Sequence, residues 1–374
     1  MRSTLSHNFI SINPVTTDAP RPETFIRDHS LSVMPVPVHS HNDYRRPRPL
    51  YSALAAGCMG VEADVWLSPD KTNLLVGHEA SRLSETRTLQ SLYLDLIKQI
   101  LDELNPARAS NTSSQDNAVP RGVYPSSPET SLMLFIDVKG NATDIWPLVD
   151  KQLQPLRERG YLSKLDHTTP ASPSDPESQP VFQRGPITVV GTGNLGPSNV
   201  TGTGCDALSR YHDSFLDAPL GSLADASSFG TLPSCRAESL LGIPLAKYHT
   251  ASASFPHHVG LVLSSVSDRQ RGTIRASLRA AAAKNLTSRY WATPTWPVSR
   301  RDHIWQVMVE EGAGLLNADD IESATRLEWS RAYGAELVWM GVSSAYMFVA
   351  SLLMAYLYHR SGRNRTRASM ETVV

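Results

Sequence analysis

The stretch Val61 to Leu67, VEADVWL, sets two carboxylates into a run that otherwise favours a buried β-strand. On a strand Glu62 and Asp64, at i and i+2, point to the same side. Isolated carboxylates on an inward face are costly, so these two must share a cation, pair with a base or stay protonated. The competing reading is an edge strand whose acids face water. Upstream, HSHNDY (His39 to Tyr44) follows the apolar run ending at Val38. Downstream, LLVGHE ends in His78 and Glu79, and LMLFIDVKG carries Asp137 and Lys139. Four consecutive apolar runs therefore end in His, acid or Lys, a repetition that favours a built site over solvated surface.

Eight apolar runs recur along the chain: Met34 to Val38, Gly60 to Leu67, Leu74 to Val76, Leu132 to Val138, Ile187 to Val190, Ile243 to Tyr248, Arg289 to Ala292 and Ala313 to Leu316. Segments with helical spacing lie between them: Leu50 to Ala56, Leu89 to Leu104, Ile145 to Arg159, Arg269 to Lys284 and Arg301 to Glu311. Strand followed by helix, repeated, predicts a parallel sheet closed as a (β/α)8 TIM-type barrel, with the polar strand ends on its active face. A doubly wound open sheet is the alternative, but no glycine-rich phosphate loop follows the first strand. Asp319 and Asp320, after the last run, are read as caps of the following helix, with lining of the barrel mouth as the alternative. His249, His257, His258 and His303 are assigned no role.

The 374 residues carry a formal net charge of −1 and no basic-aromatic interleaving, which excludes a nucleic-acid role. The three cysteines, Cys58, Cys205 and Cys235, form no CxxC pair, which excludes a zinc ribbon. Cys205 and Cys235 flank one Gly/Ser/Asp-rich segment and are candidates for a disulfide in an oxidising compartment. Residues 1–31 read as a loose leader, 32–330 as the barrel, and Asn105 to Thr130 and Thr168 to Arg184 as surface insertions.

Leu337 to Tyr358 is an uncharged apolar run, roughly 33 Å long as a helix, which predicts a transmembrane span. The basic tail 359–374, with Arg360, Arg363, Arg365 and Arg367, places the C-terminus in the cytosol and the barrel on the lumenal or extracellular side. That orientation needs an export signal, and Met1 to Arg21 has no apolar stretch long enough for one. A tail-anchored protein with a cytosolic barrel is the alternative. Asn-X-Ser/Thr sequons at Asn111, Asn141, Asn199 and Asn285 favour the lumenal side.

Three carboxylates without a thiolate suit a hard divalent cation, Mg²⁺ or Ca²⁺. Two imidazoles beside such a cation can act as base or nucleophile and as acid, while the metal and Lys139 offset phosphoryl charge. That combination is phosphodiester chemistry.

The order of motifs resembles the phospholipase C-like phosphodiesterase superfamily, which includes glycerophosphodiester phosphodiesterases and sphingomyelinases D. More closely, HSHNDY, VEADVWL, LLVGHE, FIDVKG and the late YWATP and GLLNADD are similar to the fungal altered inheritance of mitochondria protein 6 family, over roughly Val36 to Ala324. The resemblance implies Glu62, Asp64 and Asp137 as metal ligands and His39 and His78 as the catalytic pair. It puts Lys139 and Trp291 near the substrate phosphate and head group. This chain has Ser40 and His41 where the glycerophosphodiesterase pattern has Arg and Gly. Asn42 stands three residues after His39, as in the sphingomyelinase D pattern, which favours His39 over His41 as the catalytic member. The implied substrate is a phospholipid or glycerophosphodiester, opened by hydrolysis or by cyclic phosphate formation. A catalytically silent, membrane-tethered lipid-binding barrel is the second expectation.

Overall fold

The computed structural model describes residues 33–109, 119–166, 181–195, 212–223, 247–326 and 329–371. The strands within them are β1 (Val36–Ser40), β2 (Cys58–Leu67), β3 (Leu74–Val76), β4 (Leu132–Val138), β5 (Lys164–Asp166) and β6 (Val181–Gln183). They continue with β7 (Ile187–Gly193), β8 (Ser214–Pro219), β9 (Tyr248–Ser254), β10 (Thr287–Trp291) and β11 (Leu315–Ala318). Parallel pairing runs β1-β2-β4-β7-β8-β9-β10-β11 and returns to β1, so eight strands close the expected barrel.

Two of the eight predicted runs are placed differently. Leu74 to Val76 is a strand, but it pairs antiparallel with Val65–Leu67 of β2 and lies outside the barrel wall. The run Ile243 to Tyr248 contributes only Tyr248 to β9, and residues 243–246 lie outside the described ones. The eighth wall strand is β8, SFLDAP, which carries Asp217 in its middle and so lacks an apolar run. Its neighbour β9, YHTASAS, is nearly as polar. Thr250 Oγ1 and Ser252 Oγ of β9 both donate to Asp217, at 2.7 and 3.0 Å, so polar residues of the two strands satisfy one another inside the barrel.

The period-2 alternation divides the core into two compartments. Leu132, Leu134, Ile136 and Val138 of β4 and Val61, Ala63 and Val65 of β2 join the large apolar layer between barrel and helices. The other faces of those strands turn inward, where Met133, Phe135, Val190 and Leu315 form a small apolar plug. Helices form at Tyr51–Ala56, Asp95–Leu104, Ala142–Gln152, Asp268–Ala282 and Val298–Glu310, as the apolar spacing predicts. Two are capped from sequence: Asn141 accepts from Thr143 N, and Ser267 with Gln270 forms a capping box. Cys58 is buried and unpaired; Cys205 and Cys235 lie outside the described residues.

The last helix, Trp329–Glu371, contains Val338–Arg360, 23 residues with a mean hydropathy of 1.6 and no buried side chain in its apolar window. By length and composition it can cross a bilayer.

His249 of β9 stacks on Phe182 at 5.1 Å and tilts against Phe215, and burial pushes its pKa down to about 4. A neutral folded imidazole with an ordinary unfolded pKa of 6.5 contributes stability fully present above 6.5 and lost as pH falls towards 4. Urea unfolding of His249→Gln should therefore show a shallower decline between pH 6.5 and 4, by about 1–3 kcal/mol. An unchanged slope would contradict the buried neutral ring.

Candidate active site at the open end of the barrel

Strand register assembles the acids. Asp64 of β2 pairs with Asp137 of β4, and one pleat below Glu62 pairs with Phe135, so three carboxylates face inward from two adjacent strands at the C-terminal end of the barrel. One carboxylate oxygen from each of Glu62, Asp64 and Asp137 lies within 4.8 Å of the other two. Lys139 Nζ bridges Asp137 Oδ2 at 3.0 Å and Asp64 Oδ2 at 3.2 Å. Among the described residues, Asp137 Oδ1 is buried without a hydrogen-bond partner. Burial pushes Asp137 up to about 6; Lys139 opposes this, and the Asp64 and Glu62 charges add to it.

A hard cation fits this donor set. It would satisfy the orphaned Asp137 oxygen and offset three crowded negative charges using oxygen ligands alone. The cradle also requires Gly193 of β7. Its φ is +70°, and a Cβ there would lie 2.0 Å from Asp137 Oδ1 and 2.8 Å from Val138 O. Gly193→Ala should cost about 1–2 kcal/mol of stability from the left-handed backbone alone. It should also raise the metal concentration needed for half-maximal stabilisation. Thermal melts with and without metal check this, and a wild-type response would contradict a cradle shaped by Gly193.

The HSHNDY segment folds as a sharp turn over the rim. Asn42 adopts the left-handed conformation that asparagine tolerates, and its N–H donates to Glu62 Oε2 at 3.0 Å. Ser40 Oγ donates to Asp43, whose other oxygen accepts from Leu50 N, so these two residues hold the turn. Tyr44 OH lies 2.5 Å from Asn42 Oδ1 and 2.8 Å from Asp64 Oδ2. Its pKa is raised by burial and by the neighbouring Asp64 carboxylate, so it remains a donor.

The three histidines of the motifs occupy different places. His78 is 48% exposed, with Nδ1 3.1 Å from Asp64 Oδ2. His41 is 27% exposed, with Nδ1 2.8 Å from Asp319 Oδ1 and Nε2 3.7 Å from Glu62 Oε2. Burial opposes protonation of His41, but the bond to Asp319 and the Glu62 charge outweigh it and raise its pKa. His39 is 0% exposed. Its Nε2 lies 2.8 Å from Arg289 Nη1, its ring meets the edge of Phe135, and burial with Arg289 beside it pushes its pKa down to about 4. The resemblance to the sphingomyelinase D pattern implies His39 as the catalytic member; the structure buries it inside the barrel and leaves His41 on the rim.

Below the acids runs a polar belt that sequence reasoning missed. Arg289 of β10, buried over the Phe135 ring, reaches His39, Glu62 Oε1 at 3.6 Å, Asn317 at 3.4 Å and Asp217 Oδ2 at 3.4 Å. Burial works against the Glu62 carboxylate, yet the His39 ring, Arg289 and His41 hold its pKa well below the usual range. The two acids after the last strand divide the expected roles: Asp320 caps the next helix, through Ser323 N, while Asp319 turns to His41 on the rim. For Arg289 and Asp217 the available signal was the one that revealed Glu62, a charge within a strand. Trp291 stands at the end of β10, 43% exposed on the rim.

A family profile, the AIM6-like phosphodiesterase domain, matches residues 27–217. An altered inheritance of mitochondria protein 6 homolog of Arthroderma benhamiae is 37% identical over 320 residues, covering 83% of this chain and 89% of that protein. Altered inheritance of mitochondria protein 6 of Eremothecium gossypii is 33% identical over 293 residues, 77% of this chain and 68% of that protein. The Saccharomyces cerevisiae protein of the same name is 32% identical over 307 residues, 79% and 71% of the two chains. With its barrel closed and its acid cluster at the open end, this chain belongs to the altered inheritance of mitochondria protein 6 family of AIM6-like phosphodiesterase domains.

Proposed function

We propose that the chain is a metal-dependent phosphodiesterase acting on a lipid or lipid-derived phosphodiester, with His41 and His78 as its acid-base pair. The observation that carries this is the placement of two rim imidazoles on either side of the acid cluster, each held at Nδ1 by a carboxylate. Glu62, Asp64 and Asp137 would hold Mg²⁺ or Ca²⁺, which when bound offsets charge on the phosphoryl oxygens.

The carboxylate at each Nδ1 orients the ring and leaves Nε2 to handle the proton, the arrangement that general acid-base transfer requires. His41 Nε2 faces the Glu62 side, 3.7 Å from Oε2, with the Asn42 amide against the ring, while His78 stands on the Asp64 side, open to solvent. One imidazole takes a proton from the attacking hydroxyl, and the other supplies one to the leaving oxygen. Lys139 adds a fixed positive charge beside the cluster. His39 and Arg289 act from behind, keeping Glu62 ionised and in place. The helix Val338–Arg360 crosses a bilayer and keeps the barrel near lipid, with the barrel on the lumenal side and the basic tail in the cytosol.

The test is release of head group from glycerophosphodiesters, lysophospholipids and sphingomyelin by the full chain with Mg²⁺, Ca²⁺ or EDTA. Metal-dependent turnover of one class supports the proposal. A folded, metal-loaded chain that turns over none of them would overturn it.

A further inference from the structure

Two loops follow β9 and β10 at the same open end as the acid cluster, and among the described residues each exposes large apolar side chains. In the first, Val262 is buried and anchors the loop, which forces Leu261 and Leu263 outward, 72% and 76% exposed. In the second, Trp296 is 72% exposed, and Trp291 at the end of β10 stands beside it in sequence on the rim. One guanidinium ties the loops together: Arg300 donates to Val262 O at 3.3 Å and also to Trp296 O. The first loop is held a second time, by Val266 N donating to His303 Nε2 at 3.2 Å. Leu261, Leu263 and Trp296 are thus presented together by a braced structure.

We infer that Leu261, Leu263, Trp291 and Trp296 form a rim that seats on a lipid bilayer surface, turning the open end of the barrel towards the membrane. Three observations choose a bilayer as the occupant. The chain carries in Val338–Arg360 a helix long and apolar enough to hold the barrel at a membrane. Residues 255–267 and 291–301 contain no Asp or Glu, so these two loops carry no carboxylate of their own to repel phosphate head groups. Two exposed tryptophans and two exposed leucines on one rim match the depth at which a bilayer passes from head group to acyl chain. The rim surface is independent of the catalytic proposal, because it requires no turnover.

The test uses the full chain in vesicles of phosphatidylcholine and phosphatidylserine whose acyl chains are ordinary or brominated near the head group. Bromine quenches a tryptophan only at contact distance. Subtracting the emission of Trp296→Phe from that of the wild type isolates Trp296 among the seven tryptophans, and Trp339→Phe gives the same difference for the helix. Most of the Trp296 emission should be lost on bromination. Leu261→Ser with Leu263→Ser should restore it while Trp339 stays quenched. Equal Trp296 emission in the two kinds of vesicle would overturn the inference, as would quenching that the double serine variant leaves untouched. Loss of turnover alone would bear on the catalytic proposal and not on this one.

Discussion

His41→Ala is expected to lower turnover by about 10²–10⁴-fold, the usual contribution of a positioned acid or base, with little change in stability. The side chain is on the rim, and removing it frees Asp319 to water. His39→Ala is expected to behave in the opposite order. It leaves Arg289 Nη1 and one side of Glu62 without their buried neighbour and opens a void against Phe135. A loss of about 2–4 kcal/mol follows from a broken buried polar network, and activity falls because Glu62 is no longer held. Urea unfolding and turnover measured on both variants separate the two roles. A fully active His41→Ala beside a stable but inactive His39→Ala would return the catalytic assignment to His39.

Asp64→Asn is expected to have the other large effect. Tyr44 OH, His78 Nδ1 and Lys139 Nζ all converge on Asp64 Oδ2. The amide keeps the shape, removes the charge a cation needs and weakens the hold on His78. A drop of about 10²–10³-fold in turnover follows, comparable to removing one well-placed electrostatic group. The stability effect has the opposite sign in the two states. Without metal, the substitution relieves repulsion with Asp137 and Glu62, so Tm should not fall. With metal, the wild type gains stability by binding and the variant gains less. Equal metal-induced gains in the two proteins would contradict Asp64 as a ligand.

The acids were legible in the sequence because strand geometry is strict: i and i+2 share a face, so VEADV set two carboxylates on one side, and the polar ends of four consecutive runs favoured an inward site over a solvated edge. The partnership of Asp64 with Asp137 needed the register of β2 against β4, which no spacing encodes. The same strictness explains the histidines. His39 lies within β1 and turns into the barrel opposite Gly60, whose missing Cβ leaves room for the ring. His41 lies past the last strand residue, and Arg46 holds the turn through Ser40 Oγ and the carbonyls of His41 and Ala318. Spacing from Asn42 is blind to the difference between an inward strand residue and a rim residue. β8 and β9 were illegible as wall strands for a related reason, since their inward faces belong to the polar belt around Asp217 and Arg289, and an apolar pattern is what a strand search detects. Arg289 stood at the head of a predicted strand, but its five polar partners come from β1, β2, β8, β9 and β11, which all meet it only when the barrel closes.

The most direct test of the central claim is calorimetric titration of Mg²⁺ and of Ca²⁺ into the EDTA-stripped full chain, beside Asp137→Asn, with turnover of a phosphodiester read in the same samples. Saturable binding of one of these cations by the wild type, weakened in Asp137→Asn and rising in step with turnover, is the result predicted. Turnover that stays constant in EDTA, or binding untouched by loss of the Asp137 charge, would contradict a metal held by Glu62, Asp64 and Asp137 at the mouth of the barrel.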